Sequence, residues 1–428
     1  MMRRVSVMGA GVVLSFGVLG MSGCGQSHAV GSSNNQASPL ADSQSPGSKA
    51  VPSNASRSIS SPNSSTARHR QFNPQSIDMV SPSVGWVWNQ DTIWWTQDGG
   101  GHWAVETPRS LPKNSTLSVQ VISKNVAWAA VSTNLMEKPP FPVWVTTTHG
   151  TQWHRTTSLP HNDGISFISA VSAEVLWMAT DMVGASGSES MVLDATINGG
   201  KTWTMLPSSV TSQMATQPDV LHPKSVHPIP FFADKSGITM TSTREGFITG
   251  GQTGQTEETA LLSRTADGGQ NWFNVRLPNS HGEVLNWTFP PRFFSAQDGL
   301  MAVEVNNSKM ATYTTHDGGT TWTSGTLLPF SRQLGSPLWS FATIDSGLYL
   351  AMTTNVQGVI TGATLYGTSN GGRSWKPFAA NSLPLREVKA LDDVSATTAF
   401  AVTRSKGQST IWKTQNGGHT WQALNSSW

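Results

Sequence analysis

Cysteine is nearly absent from this chain. Its 428 residues include one, Cys24, so no internal disulfide can form and the fold must stand on packing. Tyrosine is almost as rare, with three residues, and only 12% of the chain is charged. No sustained 3.6-residue apolar period runs through residues 72–428. The apolar runs there are short and end at turn residues, which excludes a helical bundle. The chain also lacks a His-Glu-x-x-His pair and a full Gly-x-x-x-x-Gly-Lys-Ser/Thr phosphate loop, and its Gly-x-Ser-x-Gly match, Gly367-Thr368-Ser369-Asn370-Gly371, is not followed by the helical period that a nucleophile elbow requires. Its glycines are read as turn glycines.

What the chain has in quantity is glycine, at 40 residues, and tryptophan, at 18. Both are concentrated in a repeated octet. Thr414-Gln415-Asn416-Gly417-Gly418-His419-Thr420-Trp421 returns as Thr368–Trp375, Thr315–Trp322, Thr265–Trp272, Thr196–Trp203 and Thr96–Trp103. A worn copy, Thr146–Trp153, has Thr148-His149-Gly150 where the others have Asp/Asn-Gly-Gly. The closing residues Trp103, Trp153, Trp203, Trp272, Trp322, Trp375 and Trp421 are 50, 50, 69, 50, 53 and 46 residues apart. A period of this size indicates a repeat architecture. Asp-Gly or Asn-Gly between two apolar stretches is a hairpin signal, because glycine supplies positive φ without steric cost. Asp98, Asn198, Asp267, Asp317, Asn370 and Asn416 are therefore expected to bond the amides of their own turns. Each tryptophan opens an outgoing strand, and burying such a ring removes roughly 150–250 Å² from water.

The octet, Thr-x-Asp/Asn-Gly-Gly-x-x-Trp, resembles the Asp-box of bacterial neuraminidase (BNR) repeats. Upstream of most boxes stands a small residue and an apolar one: Gly85-Trp86, Ala127-Trp128, Leu176-Trp177, Gly246-Phe247, Gly299-Leu300, Gly347-Leu348 and Ala399-Phe400. This combination is most similar to the photosystem II assembly/stability factor repeats, and more loosely to sortilin and sialidase propellers. The resemblance spans about residues 72–428. It implies an all-β fold, a seven-bladed β-propeller of four-stranded antiparallel blades. For function it implies a non-catalytic scaffold that handles a membrane complex, or else a carbohydrate-active propeller, because one repeat decorates many activities.

Residues 1–23 form a targeting segment rather than part of the fold. Arg3 and Arg4 precede an apolar stretch, 5–20, and then Met21-Ser22-Gly23-Cys24. This resembles a bacterial lipoprotein signal, with cleavage before Cys24 and lipid on its sulfur. An ordinary secretory signal with an incidental cysteine is the alternative. Residues 25–71 hold fourteen serines and almost no large apolar side chain. Such a segment cannot bury enough surface to offset its ordering entropy, so 24–71 is read as a flexible tether behind the lipidated cysteine. The net charge of +2 is a property of this end: residues 1–71 hold six of the 27 bases and one of the 25 acids. Residues 72–428 then carry 21 bases against 24 acids, or −3. A basic leader suits an anionic lipid surface, whereas the repeat region offers nothing to a nucleic acid. The expected location is extracytoplasmic, at a bacterial membrane.

If each blade is A-B-C-D, the boxes are C-to-D turns and share one face with the A-to-B turns. The length variation then opens on the other face. On that reading the D-to-A loops are 207–235, 278–291 and 327–338, and the B-to-C loops are 134–142, 181–190, 251–259 and 354–362. Variable loops on a rigid scaffold are where binding usually resides. His222, His227, Phe231, Trp287, Phe330 and Arg332, with Phe141, Phe232 and Trp339 nearby, make the expected recognition patch, since aromatics and arginine are typical interface anchors. The expected partner is an envelope protein, with a glycan as the alternative.

No cofactor or metal is expected. Asp98, Asp267 and Asp317 lack further acids at calcium-loop spacing, and His222 and His227 stand five apart without further ligands. A sialidase needs a tyrosine nucleophile, and Tyr313, Tyr349 and Tyr366 fall in B or C strands by this map. Asp163, Asp181, Glu257, Glu258 and Glu283 are loop acids that a two-carboxylate glycosidase would need brought together.

Overall fold

The computed structural model describes residues 71–109, 111–112, 116–132, 142–159, 165–185, 188–207, 227–252, 254–279, 282–330 and 336–428. Among them there is no α-helix, and one 3-10 turn, Leu385–Glu387, accompanies the strands. In the first unit, strands A to D are Ser76–Met79, Gly85–Trp88, Ile93–Thr96 and Ala104–Val105, paired antiparallel in that order. The same plan recurs over 116–155, 167–206, 234–274, 285–329, 338–378 and 388–423. Five of these units are separate four-stranded sheets. The fourth and fifth are joined, through Gly251 opposite Trp287, into one nine-stranded sheet.

Period-two alternation explains why the B strands are apolar throughout. In the second unit Trp128 and Ala130 pack toward the third unit, while Ala127, Ala129 and Val131 pack toward the first. In the third, Trp177 and Ala179 face forward and Leu176 and Met178 face back. A strand buried on both faces reads as a continuous apolar run. Each consecutive pair of units encloses one apolar cluster, and the seventh pairs with the first through Phe400, Val402 and Ile411 against Ile77, Val87 and Trp94. The ring is closed, and the architecture is a β-propeller.

The A strands line the inside. Their free edges are tied by side chains from neighbouring A strands. The Ala170 amide donates to Gln120 Oε1 at 2.6 Å, Met240 to Ser169 Oγ at 2.7 Å, Asp393 to Ser340 Oγ at 2.7 Å, and Met79 to Asp392 Oδ2 at 2.5 Å. In each case the acceptor side chain is next to last in its strand. Edge N–H groups that would otherwise be orphaned are satisfied this way.

All seven boxes share one hydrogen-bond plan. The leading threonine hydroxyl accepts the amide of the second glycine at 2.9–3.1 Å. The Asp or Asn Oδ1 accepts the amide four residues on at 2.9–3.0 Å. In the worn copy the Thr148 hydroxyl takes that role for Gln152, at 3.0 Å. The first glycine donates to a carbonyl in the A-to-B turn of its own unit, from Gly99 to Ser83 through Gly417 to Thr397, at 2.7–2.9 Å. His149 makes the same bond to Asn125 at 3.0 Å from a left-handed φ of 47°. These bonds put boxes and A-to-B turns on one face.

Three boxes carry a carboxylate, which makes them acid-sensitive. Bonds from the Thr321 hydroxyl and amide hold the Asp317 carboxyl at about 2 against some opposition from burial. At Asp98 burial pushes up, but bonds from His102 and Thr96 outweigh it and leave the group at about 2. A depressed carboxyl stabilises the fold above its unfolded value and loses that contribution as pH falls through its folded value. The window here runs from 3.8 down to about 2. Asn416 shows the neutral version of the turn, its Nδ2 donating to Thr420 Oγ1 at 2.8 Å. Asp317→Asn should therefore be less stable than the parent at pH 7, with the gap closing toward pH 2. Guanidinium midpoints at pH 7 and 2.5 check this, and a pH-independent gap refutes it.

Candidate binding surface

Among the described residues, the face opposite the boxes carries an exposed pair of aromatics. The third unit's B and C strands, Leu176–Ala185 and Ser188–Thr196, form its longest hairpin. Beside the tip of that hairpin lie Phe231 and Phe232, 37% and 47% exposed, just before the fourth unit's A strand, Asp234–Met240. The Glu189 amide donates to the Phe231 carbonyl at 3.1 Å. Lys235, 6% exposed, turns its ammonium inward, donating to the carbonyls of Ala233 at 2.7 Å and Glu189 at 2.9 Å. Its backbone amide bonds Glu189 Oε2 at 2.7 Å. Burial raises the Glu189 carboxyl, with Lys235 opposing the rise. Ala233 holds a left-handed φ of 74°. A strained alanine and a buried lysine, tied to Glu189 through both its ammonium and its backbone amide, thus hold two neighbouring phenylalanines out to solvent. Strain of this kind persists only where the surroundings over-determine it.

Two of the residues expected from sequence to form the patch lie in this feature, Phe231 and Phe232. Trp287 is not in a loop: it belongs to a strand, Leu285–Thr288, facing Glu304 in register, and is buried. The pair Pro290-Pro291 made this stretch read as a loop, but the strand pairs on both sides of them, resuming at Arg292–Phe293. Phe330 is buried as well. The fifth unit's D strand runs on to Pro329 and carries Phe330 against Phe289, ring centroids 5.9 Å apart. Trp339 lies inside an A strand, edge-on to Phe341. His227 is on the box side: its carbonyl accepts the Trp272 amide at 2.8 Å and its ring packs on Phe273. The end of the 207–235 stretch therefore starts beside the fourth box at His227 and reaches the far face at Phe231, and residues 208–226 lie outside the described residues. The linker residues Thr157 and Asn381, and Thr326 within the fifth unit's D strand, also bond the next unit's box. Residues 181–185 and 188–190, expected as a loop, are mostly strand. His222, Arg332, Phe141, Asp163 and Cys24 lie outside the described residues. Sequence reasoning missed Lys235 and Glu189, since nothing local marks a lysine as buried.

The tyrosines are structural. Tyr313 and Tyr349 donate to the carbonyls of Pro278 and Pro329 at 3.0 and 2.7 Å. Burial, aided by Glu283 and Glu258, raises the Tyr313 hydroxyl to about 12, and burial raises Tyr349 further. Glu257 and Glu258 sit on the fourth unit's B-to-C loop, which folds over the start of the fifth: Thr259 donates to the Leu285 carbonyl at 2.9 Å, and Asn307 Nδ2 to Gln255 at 3.1 Å. Glu283 comes from the neighbouring linker. Among the described residues no three His, Cys, Asp or Glu side chains gather as a metal site. All six described histidines, His102, His149, His154, His227, His316 and His419, lie in or beside boxes.

No protein-family model matches the chain, and no curated protein matches it in sequence. Solved structures with a similar course include YCF48 from Cyanidioschyzon merolae, 15% identical, TM-score 0.49, covering 80% of this chain and 95% of that one. A structure of YCF48 bound to D1 peptide is 16% identical, TM-score 0.48, covering 80% and 93%. A GH74 xyloglucanase from Xanthomonas campestris is 12% identical, TM-score 0.32, covering 82% and 64%.

Proposed function

We propose that residues 72–428 form a protein-binding scaffold, exported and held at the outer face of a bacterial membrane by lipid on Cys24. The partner is another envelope protein, in keeping with the assembly-factor character of the repeats this sequence resembles. The observation that carries the reading is the Phe231–Phe232 pair. Two adjacent aromatics exposed on the B-to-C face contribute little to the core, yet a buried lysine fixes their backbone. Preorganised aromatic anchors bind without the cost of ordering a loop. The double variant Phe231→Ala, Phe232→Ala should keep the parent's thermal midpoint and lose most in-membrane crosslinking to its partner, a drop of about 30-fold in affinity if both rings are anchors. Unchanged crosslinking would count against the surface. Incorporation of labelled fatty acid that Cys24→Ala abolishes checks the anchor.

One observation favours a second reading, carbohydrate cleavage. The Thr259 amide donates to the Leu285 carbonyl at 2.9 Å, which sets side by side the two segments that carry Glu258 and Glu283. Turnover of labelled glycosides that disappears in Glu258→Gln would replace the scaffold reading with this one.

A further inference from the structure

The face opposite the boxes carries a second exposed apolar feature, remote in sequence from Phe231 and Phe232. The sixth unit's B and C strands, Gly347–Thr354 and Ile360–Thr368, are eight and nine residues long, against seven and seven in the units on either side. Every residue of their hairpin tip, 355–359, is exposed. Val356 is 89% exposed and Val359 59%, and Val356 is the most exposed large apolar side chain among the described residues. The tip has its own internal bonds. Asn355 Oδ1 accepts the amides of Gln357 at 3.1 Å and Val359 at 2.9 Å, and the Gly358 amide donates to the Asn355 carbonyl at 3.0 Å. Two valines held out in this way add little to the core.

Bases stand beside this tip. Arg386, in the 3-10 turn, donates from its guanidinium to the Thr361 carbonyl at 2.8 Å. The Ser405 hydroxyl donates to Glu387 Oε1 at 2.8 Å, which sets the seventh unit's B-to-C tip against the same turn. That tip carries Arg404 and Lys406. Lys389 is the extra residue where the seventh A strand shifts register between Val388 and Ala390. All four bases are exposed. Lys406 holds a left-handed φ of 48° in a two-residue turn with Gly407, a position where asparagine is the usual choice. A lysine kept there despite the strain puts an ammonium at the hairpin tip. Residues 353–361, 385–389 and 404–408 together hold these four bases and one acid, Glu387. Among the described residues none of the four bases pairs with a carboxylate. The fourth and fifth units carry Glu257, Glu258 and Glu283 on this face instead.

We propose that this corner of the propeller docks on an anionic lipid bilayer, with Val356 and Val359 entering the headgroup region and Arg386, Lys389, Arg404 and Lys406 meeting lipid phosphates. Two aliphatic side chains on a hairpin tip lack the aromatic anchors of a protein-binding surface. An apolar tip flanked by unpaired bases matches the two layers of a membrane surface, acyl chains beneath and negative charge above. The docking does not rest on lipid at Cys24 or on the Phe231–Phe232 surface.

Vesicle titration of the full chain tests this. Cys24→Ser removes the lipid anchor, and Val356→Cys then takes a single environment-sensitive fluorophore. Its emission should shift to the blue on vesicles of mixed phosphatidylglycerol and phosphatidylcholine, and not on pure phosphatidylcholine. The same label on Ile197→Cys, in a box turn and at a side chain 69% exposed, should not respond. Arg386→Gln combined with Lys406→Asn should weaken vesicle binding about 30-fold, and added salt should weaken it too. Asparagine suits the left-handed turn, so a loss in this variant is not a folding defect. A silent label at 356, an equal response at 197 or on pure phosphatidylcholine, or full binding by the double variant overturns the proposal. A label that responds to polyglutamate and not to vesicles assigns the corner to an acidic polypeptide and overturns it equally.

Discussion

Trp177→Ala should destabilise the propeller by about 3–5 kcal/mol, the range for deleting a fully enclosed aromatic side chain. Trp177 is 2% exposed and sits in the cluster between the third and fourth units, with Ile238, Ile248 and Trp272 among its neighbours. Its Nε1 donates to the Gly268 carbonyl in the fourth box at 3.1 Å. The substitution therefore leaves a cavity at a junction and removes a bond that crosses it. The walls are strands already paired on both edges, so they have little freedom to collapse. Ile197→Ala is the control. Ile197 occupies a box turn but is 69% exposed, and its loss should stay within about 0.5 kcal/mol. Denaturant midpoints for the two variants check the pair of expectations. Similar midpoints would mean that the junction clusters do not limit stability.

Lys235→Met should cost about 3 kcal/mol and loosen the Phe231–Phe232 display. Methionine matches the volume but removes the cation. The carbonyls of Glu189 and Ala233 lose their donor, and the partly buried Glu189 carboxylate loses its counter-charge. Breaking one side of a buried pair is more damaging than removing both. Glu189→Gln combined with Lys235→Met should therefore recover part of the loss. The pH dependence carries a sign. A carboxyl raised on folding favours the folded state in its protonated form, so stability falls as pH rises through its folded value. Glu189 is already raised, and losing the ammonium raises it further. The penalty of Lys235→Met should be larger at pH 8 than at pH 5, measured as the difference in denaturation midpoint from the parent. Faster exchange of the Lys235 and Glu189 amides should accompany it, since those amides hold the Phe231 segment. A penalty independent of pH would show that Glu189 and Lys235 do not act as a pair.

The sequence by itself determined the repeat, its hairpins and its all-β class. Those depend on chemistry within a few residues. Glycines at positive φ, a threonine hydroxyl two residues from an Asp or Asn, and a closing tryptophan fix a turn wherever they occur, and even Thr148-His149 completes it with a substituted oxygen. The candidate surface was much less legible. Trp287 and Phe330 looked like loop residues because prolines and irregular lengths surrounded them. Their burial depends on strands resuming beyond Pro291 and running on to Pro329, which is settled by cross-strand partners. His227 looked like part of a far-face loop because its linker is long. Its carbonyl's bond to Trp272 places it beside a box, and no local signal announces that partner. Only the tertiary structure decided which aromatics reach water, which lysine is enclosed, and how the first and seventh units meet. Each of those outcomes rests on contacts between units distant along the chain, where burial and pairing with a neighbour outweigh local preference.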